Sequence, residues 1–369
     1  MIKAMKKAHN RYFPQPSIRR QIATLSLVIL IMLTLLLTTP SVGLADNSLS
    51  DSLTPTPNTG ETLDSEVIST FPTQVFSTPT SQSLTDWNPP LVSQPYALGQ
   101  YEHFYLSRPI GSNSINWPVP SYLYGNTDDI TEFSHSGLDF AAPVNTPIMA
   151  AASGKVVFAG YGLVLGKGNT EDPYGIAVAI RHDFSYYGYE ILTIYAHMNE
   201  TAVVEGQTVE QGQVIGYVGI TGNTTGPHVH FEVRLFKDDV YHVQNPFLWM
   251  SPSIDHGVFV GEFLNKYGTY LNDREVWITS KSTGYIWKMR TYYAQATPND
   301  LFYSENLILG DLDVGEYEIT FLNNYVYNKF TFTIQPGAIT YVKFKSGEGF
   351  STELPDASEL TGFTPPTSN

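Results

Sequence analysis

The sequence predicts a mainly β protein, an antiparallel-sheet domain with glycine-rich turns followed by a small β-sandwich. Three observations carry this. Short runs rich in Val, Ile, Thr, Tyr and Phe recur through the second half of the chain. The 29 Gly and 24 Pro punctuate those runs. Within several of them apolar residues alternate with polar ones, as in Tyr317, Ile319, Phe321 and again Phe330, Phe332, Ile334.

The first 45 residues read as an export signal. All their charge is basic (Lys3, Lys6, Lys7, Arg11, Arg19, Arg20), and the uncharged run Gln21 to Ala45 is centred on LSLVILIMLTLLL. As a helix, Ile22 to Leu37 would span about 24 Å at ~1.5 Å per residue, short of a ~30 Å bilayer core. Pro40 stops it, and Gly43 and Ala45 are small residues placed for cleavage after Ala45. The 20-residue basic lead-in keeps a retained membrane anchor as the other reading, so a membrane contact is expected only if this segment stays uncleaved. Either way the expected location is extracellular or in the cell envelope.

Without the six basic residues of that segment, 14 Lys and Arg face 35 Asp and Glu, a net charge of −21 that excludes nucleic acid as an expected partner. The chain has no cysteine, so neither disulfides nor thiolate metal sites are available. Any metal must be held by His, Asp or Glu.

Residues 46–95 are rich in Ser, Thr and Pro (TPTPNTG, STFPTQ, STPTSQS) and read as a disordered, extended spacer. Residues 96–250 alternate short β runs with glycine turns: GKVVFAG, YGIAVAIRHD, EILTIYAHM, GQTVEQGQVIGYVG. The unit Gly206-Gln207-Thr208-Val209 recurs six residues later as Gly212-Gln213-Val214-Ile215, which predicts two short strands joined by tight turns. Residues 251–347 carry strands at regular spacing (GVFVGEF, REVWITS, YIWKMRTYY, GEYEITF, NKFTFTIQPG, ITYVKFKS), the pattern of an antiparallel sandwich of about seven strands. Residues 348–369 read as a flexible tail.

Three histidine-bearing segments fall inside residues 96–250: SHSGLDFAAP with His135 and Asp139, TIYAHMNE with His197, and TTGPHVHFEV with His228 and His230. On a strand, His228, His230 and Glu232 share one face while Val229, Phe231, Val233 and Leu235 share the other. By the same alternation Thr193, Tyr195 and His197 are expected on one face. These ligand types suit zinc, and a catalytic zinc takes about three protein ligands and keeps one position open.

On these residues the segment resembles the catalytic domain of the lysostaphin-type (LytM-type) zinc metallopeptidases, the cell-wall endopeptidases of bacteria. The matching stretches are HSGLDFAAPVNTPIMAAASGKVVFAG, YGIAVAIRHD, LTIYAHM and VVEGQTVEQGQVIGYVGITGNTTGPHVHFEV. The resemblance implies one zinc ion per chain held by His135, Asp139 and His230, with His197 and His228 as catalytic histidines and the peptides of peptidoglycan as substrate. With no H-E-x-x-H glutamate in the chain, a histidine must serve as the base. His228 is placed to deprotonate or orient water and His197 to stabilise an oxyanion, two roles that can be exchanged.

In some relatives an upstream residue fills the fourth zinc position, for which Asn126, Asp128, Asp129 and Glu132 are candidates. All five positions are filled, which argues against the alternative of a non-hydrolytic LytM-like scaffold or activator of other wall hydrolases. A carrier-type lipoyl module is a further rival, but it needs a modifiable lysine at a hairpin tip, and none lies between Lys167 and Lys237.

The chain departs from the family in YGLVLGKGNTEDP, Tyr161 to Pro173, a longer connection than usual that either flanks the groove or is a solvated insertion. Its GLVLGKG fails the phosphate-loop template in spacing and final residue. His182 is expected to be structural, and His103, His242 and His256 have no supporting neighbours in sequence. The C-terminal segment resembles, through LGDLDVGEYEITF and QPGAITYVKF, the regulatory sandwich of carboxypeptidases, which implies a spacer, binding or packing module.

Overall fold

The computed structural model describes residues 102–111, 123–126, 134–253, 255–292 and 297–355. The expected export signal, the Ser/Thr/Pro-rich spacer and the end of the tail lie outside the described residues, which form seventeen strands and no α-helix. No helix among them is long and apolar enough to cross a membrane.

The first nine strands make one antiparallel sheet: β1 (Leu138–Ala141), β2 (Pro147–Met149), β3 (Gly154–Tyr161), β4 (Ile176–Tyr186), β5 (Tyr189–Thr201), β6 (Thr208–Val209), β7 (Val214–Val218), β8 (His228–Lys237) and β9 (Val240–Gln244). They run in the order β1-β8-β5-β4-β3-β6, with β9 on the edge of β8 and β2 and β7 paired beside β5. One face of β8 sends Val229, Phe231, Val233 and Leu235 into the main core, where Val178, Ile180 and Tyr195 from β4 and β5 meet them. The other side of the sheet carries a thinner apolar layer of Phe158, Leu163, Ala177, Ala179, Ile194 and Ala196.

The Gly-Gln repeat is a repeated docking device. Gly206 and Gly212 both take positive φ, 91° and 79°. Each donates its N–H to a backbone carbonyl, of Val156 and Ala150, and the following Gln carbonyl accepts the N–H of that same residue. Each Gln side chain then accepts the N–H of the residue three positions before it, Val204 or Glu210. The recurrence in sequence therefore encodes two copies of one turn.

His182 on β4 is structural, as expected. Its ring is buried between the Ser153 carbonyl at 3.1 Å and the Thr193 hydroxyl at 2.9 Å. Burial pushes its pKa down to about 4, so the fold holds it neutral. Between the ordinary histidine value and that lowered one, the unfolded chain binds the proton that the folded chain refuses. Stability is therefore lost as pH falls through this window, by on the order of 3 kcal/mol. Urea unfolding of metal-free protein across this range should show that decline, and His182→Gln should flatten it. An equal slope in both would remove His182 as its source.

After a single 3-10 turn at Pro246–Leu248 the chain builds two four-stranded sheets. One is β13-β10-β16-β17, from β10 (His256–Leu264), β13 (Leu307–Asp313), β16 (Ile339–Lys345) and β17 (Gly349–Ser351). The other is β12-β11-β14-β15, from β11 (Glu275–Ser280), β12 (Ile286–Arg290), β14 (Gly315–Asn323) and β15 (Val326–Ile334). They pack face to face through Phe259 on Phe332 at 4.8 Å and Phe263 on Phe321 at 5.1 Å between ring centres. Tyr317, Ile319 and Phe321 point inward, as their alternation predicts.

Two differences from the sequence reading stand out. Residues 251–347 hold seven strands, β10–β16, but an eighth, β17, pairs with β16 inside residues 348–369, the segment read as a flexible tail, and β10 pairs with β16 in parallel. The strand missed internally is β13, LILGDLD, whose central glycine and two aspartates resemble a turn. Gly310 is there because a Cβ at that position would lie 2.0 Å from the Phe247 ring.

That contact also shows that the β10–β17 sheets are not tethered loosely. One continuous core runs from Phe231 and Trp249 to Phe259 and Ile319. Between the sheets Asn245 donates to the Tyr292 hydroxyl at 2.8 Å, Arg108 pairs with Asp311, and His103 lies buried 3.4 Å from Asp300. His103 thus gains a partner that its sequence neighbours do not supply.

Candidate metal and active site

The site is built on the pairing of β1 with β8, whose antiparallel register sets Asp139 opposite His230 and Ala141 opposite His228. His135 arrives from the segment before β1, fixed by backbone hydrogen bonds in which its N–H donates to the Asn126 carbonyl at 2.8 Å and its carbonyl accepts from Gly125 at 2.9 Å. Gly137 lets the two segments approach. A Cβ there would sit 2.3 Å from the Phe231 carbonyl and 3.0 Å from the His230 ring.

Three ligand-type atoms converge. His135 Nε2 lies 3.0 Å from His230 Nδ1 and 3.1 Å from Asp139 Oδ1, and His230 Nδ1 lies 2.8 Å from the same oxygen. A tetrahedral ion with bonds of ~2.0–2.1 Å wants donor atoms roughly 3.3 Å apart. Two imidazole nitrogens and a carboxylate oxygen this close must share a proton or a metal ion. Burial alone would raise the Asp139 pKa, but hydrogen bonds from His135 and His230 hold it far below the usual carboxylate range. His230 is buried, which disfavours its charged form, yet its hydrogen bonds to Asp139 and Glu232 push it up to about 9. The donor set His135, Asp139, His230 fits a metal ion and could hold one.

His228 and His197 stand beside this trio without joining it. His228 Nδ1 donates to the Gly226 carbonyl at 2.8 Å, which turns Nε2 inward, 3.4 Å from Asp139 Oδ2. His197 Nδ1 donates to the Thr221 carbonyl at 2.8 Å, and its ring centre lies 4.8 Å from that of His228. A carbonyl can only accept, so both rings carry the proton on Nδ1 and present an Nε2 lone pair. Burial lowers both pKa values; for His197, with the added proximity of His230 and His228, it falls to about 3.

His197 reaches this face by breaking the strand rule. Alternation would place it with Thr193 and Tyr195, which lie buried on the main-core side and share a hydrogen bond of 3.0 Å. Instead β5 sets two residues, Ala196 and His197, opposite one of β4, Ala177, and His197 adopts φ 61°. This bulge rotates the side chain to the opposite face. Its N–H still finds a partner in the Tyr174 carbonyl at 2.9 Å.

Behind His230 sits a buried network absent from the sequence reading. Glu232 accepts from His230 Nε2 at 2.9 Å, Ser136 Oγ at 2.5 Å, the Tyr174 hydroxyl at 2.6 Å and Arg234 Nε at 2.7 Å. Burial would raise the Glu232 pKa, but Arg234 and His230 hold it well below the carboxylate range, so it remains an acceptor. That fixes Nε2–H on His230 and leaves Nδ1 to face Asp139. The only hint in the sequence is that Glu232 shares a strand face with His228 and His230.

The long connection after β3 ends at the site. Buried Asp172 accepts the N–H groups of Val164 and Leu165 at 2.7 Å and of Tyr174 at 3.0 Å, ordering the insertion from within. Pro173 and Tyr174 then line a cleft of about 330 Å³ together with His135, Asp139, His197 and His228. Of the four upstream candidates for a further ligand, Asn126 pairs through its backbone with His135, while Asp128, Asp129 and Glu132 lie outside the described residues.

Residues 133–242 match the model of Peptidase family M23. The DD-carboxypeptidase/endopeptidase Mpg of Neisseria meningitidis serogroup B is 44% identical over 101 residues, covering 27% of this chain and 20% of that protein. The peptidoglycan DD-endopeptidase ShyC of Vibrio cholerae is 40% identical over 99 residues, with the same coverage, 27% and 20%. The chain thus spans about a fifth of the length of these curated relatives. Among solved structures, the catalytic domain of lysostaphin from Staphylococcus simulans is 31% identical, covering 34% of this chain and 89% of that one, with a TM-score of 0.28.

Proposed function

We propose, from the match of residues 133–242 to Peptidase family M23, that this chain is an exported zinc-dependent endopeptidase that hydrolyses peptide crosslinks or stem peptides of bacterial peptidoglycan. The observation that carries this reading is the convergence of His135 Nε2, Asp139 Oδ1 and His230 Nδ1 within 3.1 Å of one another, in a cleft that two further histidines face.

Zinc, when held by these three residues, supplies Lewis acidity toward a peptide carbonyl and toward water. The protein's own residues do the rest. His228 offers an Nε2 lone pair beside Asp139, and that carboxylate favours the imidazolium formed when the ring takes a proton from water. His228 is therefore the base and, once protonated, the donor available to an oxyanion or a leaving amine. His197 has spent its N–H on Thr221 and is the harder of the two to protonate. Its Nε2 lone pair suits it to accept a hydrogen bond from water and aim it, a role the tautomer favours over that of oxyanion donor. Tyr174 and Glu232 keep the His230 ring in place.

The test is mass spectrometry of muropeptides released from purified peptidoglycan by the full chain, before and after chelation and zinc readdition. New peptide-cleavage products that vanish with chelator and return with zinc are expected. An unchanged muropeptide profile with zinc-loaded protein would instead favour a non-hydrolytic scaffold.

A further inference from the structure

From the cleft at one end of the C-terminal sheet pair, we infer a binding site for an acidic N-acetylated saccharide, the carboxylate-bearing sugar of a wall glycan. This rests on the peptidoglycan reading for the source of the ligand, but it uses none of the metal-site residues. The cleft measures about 530 Å³ and lies where β10, β14 and β16 all end. The turns that follow these strands are tied together. Ser346 N–H donates to the Leu264 carbonyl at 3.0 Å, and Asn323 Nδ2 donates to Ser346 Oγ at 2.9 Å.

Charge is the first argument. Eight Lys and Arg lie in residues 255–355, inside a chain of net charge −15. Five of them, Lys288, Arg290, Lys329, Lys343 and Lys345, sit in ion pairs, and Lys281 bonds the Thr331 hydroxyl. The two left over, Lys266 and Arg274, have no carboxylate within ion-pair distance among the described residues, and both line this cleft. Arg274 also feels the neighbouring Asp273, but two cations outside ion pairs that line one concavity still favour an anion.

Two exposed tyrosines are the second, Tyr267 in the lining of the cleft and Tyr325 next in sequence to its Asn324. Tyr267 is 79% exposed beside Lys266, whose ammonium lies 4.8 Å from its ring centre. At the hairpin between β14 and β15, Asn324 and Tyr325 form the two-residue turn, with φ 50° and 63°. Glycine is the usual second residue of such a turn, because it alone takes positive φ without penalty. Here a tyrosine takes it and leaves its ring 99% exposed, so the strain gains the fold no packing. Strain kept without a packing return marks a functional position. Exposed tyrosine faces stack on the apolar faces of sugar rings, and the side-chain amides of Asn265 and Asn324, which line the cleft, suit hydroxyl and acetamido oxygens.

The test is calorimetric titration of the full chain with peptide-free oligomers of alternating N-acetylglucosamine and N-acetylmuramic acid, and with neutral N-acetylglucosamine oligomers. The acidic oligomer should bind. Lys266→Gln with Arg274→Gln should weaken it at least tenfold. Tyr325→Gly should weaken it several-fold while raising Tm, since the turn relaxes. Absence of binding, variants that bind like wild type, or equal affinity for the neutral oligomer would each overturn the inference. Because the probe has no peptide bond, its binding is unaffected by chelation. Failure of the peptidase reading is therefore seen separately, in the muropeptide profile.

Discussion

Glu232→Ala should cost about 3–5 kcal/mol of folding stability and loosen metal binding by roughly 10–100-fold. The carboxylate is fully buried and takes four donors at once, from His230, Ser136, Tyr174 and Arg234. Removing it strands the buried guanidinium of Arg234 without its carboxylate, with the Tyr174 hydroxyl still at 2.9 Å. It also frees the His230 ring to take either tautomer, so Nδ1 is no longer reserved for the ligand position. Two readouts separate these effects: urea unfolding in chelator reports the stranded charge, and competition for zinc against a chromophoric chelator reports the ligand. Glu232→Gln keeps the shape and some hydrogen bonding, so it should lie between wild type and alanine in both. A Glu232→Ala protein with wild-type stability and zinc affinity would falsify the proposed support of His230.

The same residue shows where sequence reasoning stops. The three ligand candidates were legible because each lies in a short segment with a distinct pattern, and alternation on β8 puts His228, His230 and Glu232 on one face. What alternation cannot supply is direction within that face. Only the β1–β8 register, with Asp139 opposite His230, distinguishes the ring that joins the trio from the one beside it. His197 was harder, because a one-residue bulge reverses its face, and bulges depend on pairing with the neighbouring strand rather than on the strand's own pattern. Tyr174 carried no signal at all. It reaches the cleft because Asp172 orders an insertion around itself, a contact set by tertiary geometry. In the C-terminal half, inward-facing Tyr317, Ile319 and Phe321 were readable from period two. β13 was hidden because Gly310 answers to Phe247, sixty-three positions earlier in the chain.

His230→Ala and His228→Ala should separate cleanly, although the two residues stand one valine apart. His230→Ala removes one of three donors and leaves Asp139 and Glu232 facing a void, so zinc content should fall to background. Hydrolysis should drop by on the order of 10³-fold or more, the equivalent of several kcal/mol of lost polarisation. His228→Ala leaves the donor trio whole, since His228 Nε2 approaches Asp139 through the other carboxylate oxygen, Oδ2, at 3.4 Å. Zinc should therefore stay near one per chain while kcat falls roughly 10²–10⁴-fold, the loss of a general base. Elemental analysis and turnover of a defined crosslinked muropeptide, measured on the same preparations, give both quantities. Equal zinc in wild type and His230→Ala would sink the ligand assignment. Loss of zinc from His228→Ala would make that ring a ligand instead, and the proton would then have to pass to His197. The tautomer locked by the Thr221 carbonyl leaves Nε2 of His197 able to receive it, but burial and its two histidine neighbours make it the weaker base.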